Sequence, residues 1–322
     1  MDITVFNRRR FLATSSALLA FPALAQPYPS RPIRLVVPYP AGGSTDQLAR
    51  AIQQPLGEIL GQPIIVDNRA GAGGTIGTDL VAKSAPDGYT FVFGNTGPNA
   101  VVSLLRKVPY DLLLDLMPIS TVAFTPMILA VPTDSPAKTL KEFLVYARQH
   151  SSSMNYGSVG NGSLSHLTGE YFNEQAGLKM LHVPYNGGAP MLMAFASGQL
   201  NAAFVTGLDG ATMLSSGKVR YLAVATPQRT DVVPGLPHIA EEVPGFASTA
   251  WFGVLAPRGV PPNVLARLNA AVVAAVARPE VRKLFAERMI EARSSTPQEL
   301  EKVIAGEQQH WGQVIRKGGI TI

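Results

Sequence analysis

Short apolar runs alternate with amphipathic stretches along much of the chain. Ile33–Pro38 reads as a short apolar strand. After the loop Tyr39-Pro40-Ala41-Gly42-Gly43, apolar residues recur at Leu48, Ile52, Leu56 and Ile59/Leu60. That spacing predicts a helix from about Thr45 to Leu60 with one buried stripe. Pro55 predicts a kink, since it lacks the N–H for the i−4 bond, and Gly61 predicts the stop. A strand at Ile64–Asp67, a glycine-rich loop at Arg69–Gly77 and a strand at Tyr89–Gly94 follow, the last ending at Asn95-Thr96-Gly97.

The plan then repeats about 120 residues later. A strand ends at Asn155–Gly157, and Ser158-Val159-Gly160-Asn161-Gly162 forms a loop. A helix runs from Ser163 to about Ala176 with Leu164, Leu167, Tyr171 and Phe172 apolar. Gly177 stops it, a strand follows at Met180–Val183, and Tyr185-Asn186-Gly187-Gly188 forms the next loop. Alternating βα units predict an α/β fold of two similar lobes, each a mainly parallel, doubly wound sheet flanked by helices. Met117–Pro132 and Trp251–Pro257 read as two crossover strands between them. The first lobe is then expected over 26–122 plus 250–322, and the second over 123–249. Helices are expected at Pro261–Ala277, Glu280–Arg288 and Pro297–Arg316. Thr296-Pro297-Gln298-Glu299 opens the last with a capping box, and Thr139–Glu142 is a second such box.

The N-terminus changes the picture. Asn7-Arg8-Arg9-Arg10-Phe11-Leu12 is basic, Ala13–Leu24 is apolar, and Ala23-Leu24-Ala25 is a small-x-small cleavage site. This is a signal-peptide layout over 1–25. Its apolar part is about half the roughly 20 residues of a spanning helix. Arg8-Arg9-x-Phe-Leu also fits twin-arginine export, so both that route and the general secretory route stand. The expected product is a soluble periplasmic protein. The formal charge is +5; taking those three arginines and Asp2 from 27 basic and 22 acidic residues leaves 24 and 21, a net of +3. The remaining cations are scattered, with no nucleic-acid stripe. With no cysteine, disulfides, thiolate metal sites, cysteine nucleophiles and a lipid-modified cysteine are excluded. His150, His166, His182, His238 and His310 show no metal-ligand spacing, so neither metal nor cofactor is expected.

In open parallel sheets, ligands bind where strands end and helices begin. Ser44 and Gln47 are spaced as a capping box, which makes Ser44 the expected N-cap of the helix after Gly42-Gly43. The first helical N–H groups lack internal partners, and the helix dipole favours an anion there. Ser158–Ser163 offers the same arrangement from the second lobe. Facing each other, the two starts suit a small carboxylate without any lysine or arginine. Asp46 reads either as a residue favouring the helix start or as a contact for a ligand hydroxyl or ammonium. His166 reads either as a hydrogen-bonded interior side chain or as a ligand contact. Gly71-x-Gly73-x-x-x-Gly77 resembles a dinucleotide fingerprint, yet the next strand ends Phe93-Gly94-Asn95-Thr96 without the acid that would hold a ribose. The glycines therefore read as a tight loop lining the cleft. No Gly-x-Ser-x-Gly occurs. The enzyme alternative is an exported Rossmann-like oxidoreductase, and a third reading is a ligand sensor feeding a signalling partner.

Several motifs occur in order: Pro-x-Pro-Ala-Gly-Gly-x-Thr-Asp through Asp46, Val66-Asp67-Asn68-Arg69-Ala70-Gly71-Ala72-Gly73-Gly74, Ala85-Pro86-Asp87-Gly88-Tyr89-Thr90, Ser158-x-Gly160-x-Gly162-Ser163-x-x-His166 and Val183-Pro184-Tyr185-x-Gly187. With them the chain resembles the Bug family of extracytoplasmic solute receptors, the TctC-like binding component of tripartite tricarboxylate transporters, over essentially all of 26–322. The resemblance implies a two-lobed Venus-flytrap fold without catalysis and handover of a small organic acid to membrane permease subunits; a monomer is expected. It implies ligand contacts from Tyr39, Gly42, Gly43, Thr45 and Asp46 in one loop, and from Ser158, Gly160, Gly162, Ser163 and His166 in the other, with Tyr185 beside them. Ser44, Asn95 and Thr96 complete the expected site. Val205 and Thr206 stand where relatives often carry an acid after Phe204, and Asn186 where they often carry a base. These departures point to a ligand less charged, or differently shaped, than a tricarboxylate. On this reading, Asp46→Ala and Ser158→Ala weaken ligand binding without unfolding the protein.

Overall fold

Strands with both faces covered and helices with one apolar stripe need partners on two sides, and the chain supplies them in two sheets. The computed structural model describes residues 28–215, 217–226 and 232–321; the signal segment expected over 1–25 lies outside the described residues. In the first lobe, β1 (Ile33–Val37) lies between β2 (Ile64–Asn68) and β3 (Thr90–Asn95), parallel to both, with Ile33 opposite Ile64 and Arg34 opposite Thr90. Helix α1 (Ser44–Leu60) joins β1 to β2 and buries Leu48, Ala49, Ile52, Leu56 and Leu60. It is a single helix through Pro55 and ends on left-handed Gly61. Helix α2 (Thr75–Ala82) leads to β3, and the short α3 (Val102–Leu105) follows it.

The chain then runs along β4 (Leu116–Pro126), passes Met127, and enters the second lobe as β5 (Ile128–Pro132). There α4 (Leu140–His150), β6 (Asn155–Ser158), α5 (Leu164–Ala176), β7 (Leu181–Pro184), α6 (Gly188–Ala196), β8 (Ala202–Val205), α7 (Gly207–Ser215) and β9 (Val219–Val224) follow in turn. The return is made by β10 (Thr249–Pro257). Helices α8 (Pro262–Val276) and α9 (Pro279–Ala286), the short β11 (Glu291–Ala292) and α10 (Pro297–Gly318) complete the first lobe. The sheets have the orders β11-β4-β10-β3-β1-β2 and β7-β6-β8-β5-β9.

Both sheets are mixed rather than mainly parallel. The βα strands pair in parallel, as their alternation predicts, but β10 is antiparallel to β3 and β4, and β5 to β8 and β9. The direction follows from the crossing. The βα strands point their carboxyl ends at the seam between the lobes, while β5 and β10 bring the chain over the seam and must run away from it. The crossing itself is hydrogen-bonded: Met127 N–H donates to Ser248 O (3.0 Å), Ser248 N–H to Ala225 O (2.7 Å) and Ala225 N–H to Met127 O (2.8 Å).

Behind this hinge, α10 reaches from the first lobe to the second. The Tyr171 ring of α5 stacks on Phe246 at 4.8 Å and meets the edges of His310 and Trp311 at 6.0 and 6.1 Å. The helix is anchored at its start, where Thr296 Oγ1 accepts the Glu299 N–H (3.2 Å) and Glu299 Oε2 accepts the Thr296 N–H (2.7 Å). Within it, Trp311 Nε1 donates to Glu307 Oε2 at 2.7 Å, and burial pushes the Glu307 carboxyl up to about 7. An acid raised in the fold favours the native state in its neutral form. Its contribution is therefore fully present below the ordinary value of 4.5 and is lost as pH rises from 4.5 to about 7. Glu307→Gln keeps an acceptor for Trp311 and is expected to flatten that decline, as measured by urea unfolding across this pH window.

Candidate functional site

Four strand ends, from β1 and β3 in one lobe and β6 and β8 in the other, meet at the seam. After β1, Gly42 takes a left-handed turn (φ 89°), and extended Gly43 forms the N-cap of α1 with no side-chain cap. Ser44 is therefore the first helical residue and not the cap expected from its spacing with Gln47. Gln47 Nε2 instead donates to Gly42 O at 2.8 Å. The missing acceptor comes from the opposite lobe: Ser44 N–H donates to Asp209 Oδ1 at 3.1 Å. Across the seam, Ser163 caps α5 through its own side chain, with Oγ accepting the His166 N–H at 3.3 Å. The Ser163 and Ser165 hydroxyls lie 3.1 Å apart.

Between these helix starts lies a cavity. The first lobe lines it with Tyr39, Gly43, Ser44, Thr45, Asn95 and Thr96, backed by Ala250 and Phe252. The second lobe contributes Val159, Ser163, Leu164, Ser165, Gly188, Phe204, Thr206 and Asp209, and Met127 lines it from the hinge. Hydrogen bonds fix several of these groups. Tyr39 Oη donates to Gly73 O (3.1 Å), Asn95 Nδ2 donates to Thr45 Oγ1 (3.0 Å), and Thr96 Oγ1 accepts the Trp251 N–H (3.1 Å). No lysine, arginine or histidine is among the lining residues.

Gly42, Asp46, Ser158, Gly160, Gly162, His166 and Tyr185 lie outside that lining, and for the side chains the reason is local. Asp46 is turned into its own lobe, where it accepts from Gly42 N–H (2.9 Å), Arg50 Nε (3.0 Å) and Asn68 Nδ2 (3.0 Å). Burial alone would raise its carboxyl, but these donors hold it below the usual value. Ser158 Oγ is 2.6 Å from His182 Nε2. The His166 ring stacks on His182 at 4.0 Å, and its Nδ1 accepts the Gly162 N–H at 3.3 Å. Burial lowers His166 to about 4; burial, then the neighbouring His166, lowers His182 to about 3. The second helix start therefore has neutral imidazoles behind it near pH 7. Gly160, Tyr185 and Asn186 line an adjoining vestibule with Tyr39 and Arg106, whose Nη2 donates to Ala72 O at 2.8 Å.

The glycine loop after β2 has a packing explanation. Gly73 is left-handed (φ 61°), and a Cβ on it would stand 2.5 Å from the Asn161 carbonyl of the other lobe. Its lack of a side chain lets the lobes touch, which leaves little reason to assign the spacing to a pyrophosphate.

Among the lining residues that sequence reasoning missed, Leu164 and Ser165 included, the acid is Asp209. It is 6% exposed, lines the cavity, and accepts the Thr206 hydroxyl at 2.8 Å while its own N–H donates to Thr206 Oγ1 at 3.2 Å. Burial raises its carboxyl, against the opposing pull of the Thr206 and Ser44 donors. A signal was present: Thr206-Gly207-Leu208-Asp209 directly after β8 has the capping-box pattern.

Comparison with known proteins follows the same outline. A family model described as "Tripartite tricarboxylate transporter family receptor" matches residues 48–320. Protein BugT of Bordetella pertussis is 35% identical over 315 residues, covering 97% of this chain and 96% of BugT. Among solved structures, R. palustris Rpa4515 with adipate superposes with a TM-score of 0.88 at 36% identity, over 91% of this chain and 99% of that one. MatC from Rhodopseudomonas palustris with bound malate gives 0.84 at 33% identity, over 89% and 100%.

Because the Asp46 carboxylate is buried and takes three donors, Asp46→Ala is expected to cost roughly 1–3 kcal/mol of stability. Urea unfolding should show this as a lower midpoint; an unchanged midpoint with lost ligand affinity would restore Asp46 to the cleft.

Proposed function

This chain belongs to the tripartite tricarboxylate transporter receptor family, and from that we propose that it is a periplasmic receptor that captures a small carboxylate between its lobes and delivers it to the permease subunits of such a transporter. The observation that carries the reading is the cavity between two opposed helix starts, lined by hydroxyls, amides, backbone donors and apolar side chains, with the one acid Asp209 and no cation.

The geometry suggests how capture works. Ser163 caps α5, so the Leu164 and Ser165 N–H groups, in the first turn, have no partner within the helix. Both residues face the cavity. A ligand carboxylate set there accepts those N–H groups and the serine hydroxyls, at the positive end of the helix dipole. Charge-assisted bonds of this kind contribute about 1.5–3 kcal/mol each. The donors belong to a folded helix start, so little ordering is needed when the ligand arrives. Tyr39, Thr45 and Asn95 complete the enclosure from the first lobe, and a ligand that touches both lobes favours their closure about the Met127–Ser248 hinge.

The relatives with bound adipate and malate support a small carboxylate as the ligand class. The family is one of solute-binding receptors, and our reading includes no chemical step. Among the described residues no helix is long and apolar enough to cross a membrane. Export of the chain is assigned to the basic and apolar segment over 1–25.

A thermal-shift and calorimetric screen against small organic acids tests the reading. A true ligand at a hundredfold excess over Kd raises stability by about 2.7 kcal/mol. Ser163→Ala removes one donor and the helix cap, and is expected to weaken binding by about tenfold. A panel in which no acid shifts the melting point would overturn the proposal.

A further inference from the structure

Within the cavity just described, Asp209 is the one carboxylate among the lining residues, with no lysine or arginine beside it. A carboxylate taken from water without a cation is held only by the donors around it. Four can be named: the Ser44 N–H at 3.1 Å, the Ser44 hydroxyl, the Thr206 hydroxyl at 2.8 Å and the Thr206 N–H. A carboxylate has about four acceptor sites, so a ligand donor that reaches Asp209 along the cavity wall shares or displaces one of these partners. Two consequences follow. The helix start of the first lobe already faces a negative charge supplied by the chain itself, which leaves the start at Ser163–Ser165 for a ligand's carboxylate. The far end of that ligand, after passing Met127, Phe204 and Phe252, meets an acid that can accept a hydrogen bond and can donate none while ionised.

Resting on the receptor function proposed above, we propose that Asp209 determines specificity: the ligand is a monocarboxylate with an apolar body whose far end carries a hydrogen-bond donor, hydroxyl or ammonium. A second carboxylate at that end is rejected by like-charge repulsion in a site without a compensating cation. This sets the chain apart from the two relatives whose structures hold the diacids adipate and malate.

Matched acids test this. Propionate, hexanoate and octanoate are each compared with their ω-hydroxy, ω-amino and ω-carboxy counterparts by calorimetry on the mature protein and on Asp209→Asn. In the series of best-fitting length, the hydroxy or amino acid is expected to bind at least about tenfold tighter than either the unsubstituted acid or the diacid. Preference for ammonium identifies a zwitterionic ligand, and preference for hydroxyl a hydroxy acid; both support the inference. Asp209→Asn is expected to erase the ammonium advantage and to improve diacid binding by about tenfold. A wild-type preference for the diacid, or an order unchanged in Asp209→Asn, overturns the role of Asp209 and leaves the receptor function standing. Failure of every acid in every series overturns the receptor function itself.

Discussion

The hydrogen bond from the Ser44 N–H to Asp209 is the contact on which the site depends. It joins residues 165 positions apart and lies where the two lobes touch. A helix start presents unpaired donors and a positive dipole end, and in a protein interior something must answer them. Gly43 cannot, because it has no side chain, and so the first turn of α1 is completed only by an acid from the other lobe. That single requirement couples lobe closure to the chemistry of the cavity. On the proposal above, it leaves the start at Ser163–Ser165 for a ligand and sets an acid at the ligand's other end.

The rest of the seam is arranged around close approach. Gly73 meets Asn161 backbone, and a Cβ on Gly187 would lie 2.9 Å from the Pro40 ring. Side chains at either position would hold the lobes apart. Of the hinge residues only Met127 lines the cavity; Ala225, Ser248 and the rings of Tyr171, His310 and Trp311 are not among its lining residues. Ala225, Ser248 and these rings join the lobes from outside the cavity. The paired imidazoles of His166 and His182, kept neutral by burial, hold the Ser158–Gly162 loop in shape. On the proposed function, a site built this way meets an anion with fixed neutral donors. Such recognition suits a receptor that must also let its ligand go.

Much of this was legible in the chain because it is local. The apolar stripe of α1, the glycine stops at Gly61 and Gly177, the Thr296 capping box and the twofold strand-loop-helix plan all depend on residues within a few turns of each other. The crossovers were legible as apolar runs. Strand direction at the crossovers was not, since it follows from which lobe a strand comes from. The same limit explains the cap at Ser44. Its spacing with Gln47 is a fair local signal, but the backbone places the cap one residue earlier, and the acceptor arrives from far along the sequence. Asp46 presented the attractive pattern of an acid beside a glycine loop, yet Arg50 and Asn68 claim its carboxylate inside the lobe. Asp209 carried only a helix-start pattern, and its place in the cavity became visible once β8 was set opposite α1.

The most direct measurement is a crystal structure of the mature protein with a bound hydroxy or amino monocarboxylate. The account predicts the ligand carboxylate on the Leu164 and Ser165 N–H groups, with its hydroxyl or ammonium about 2.7–3.2 Å from an Asp209 oxygen and the Ser44 N–H still donating to Asp209. A ligand carboxylate seated on the Ser44 N–H, with Asp209 turned out of the cavity, would contradict it.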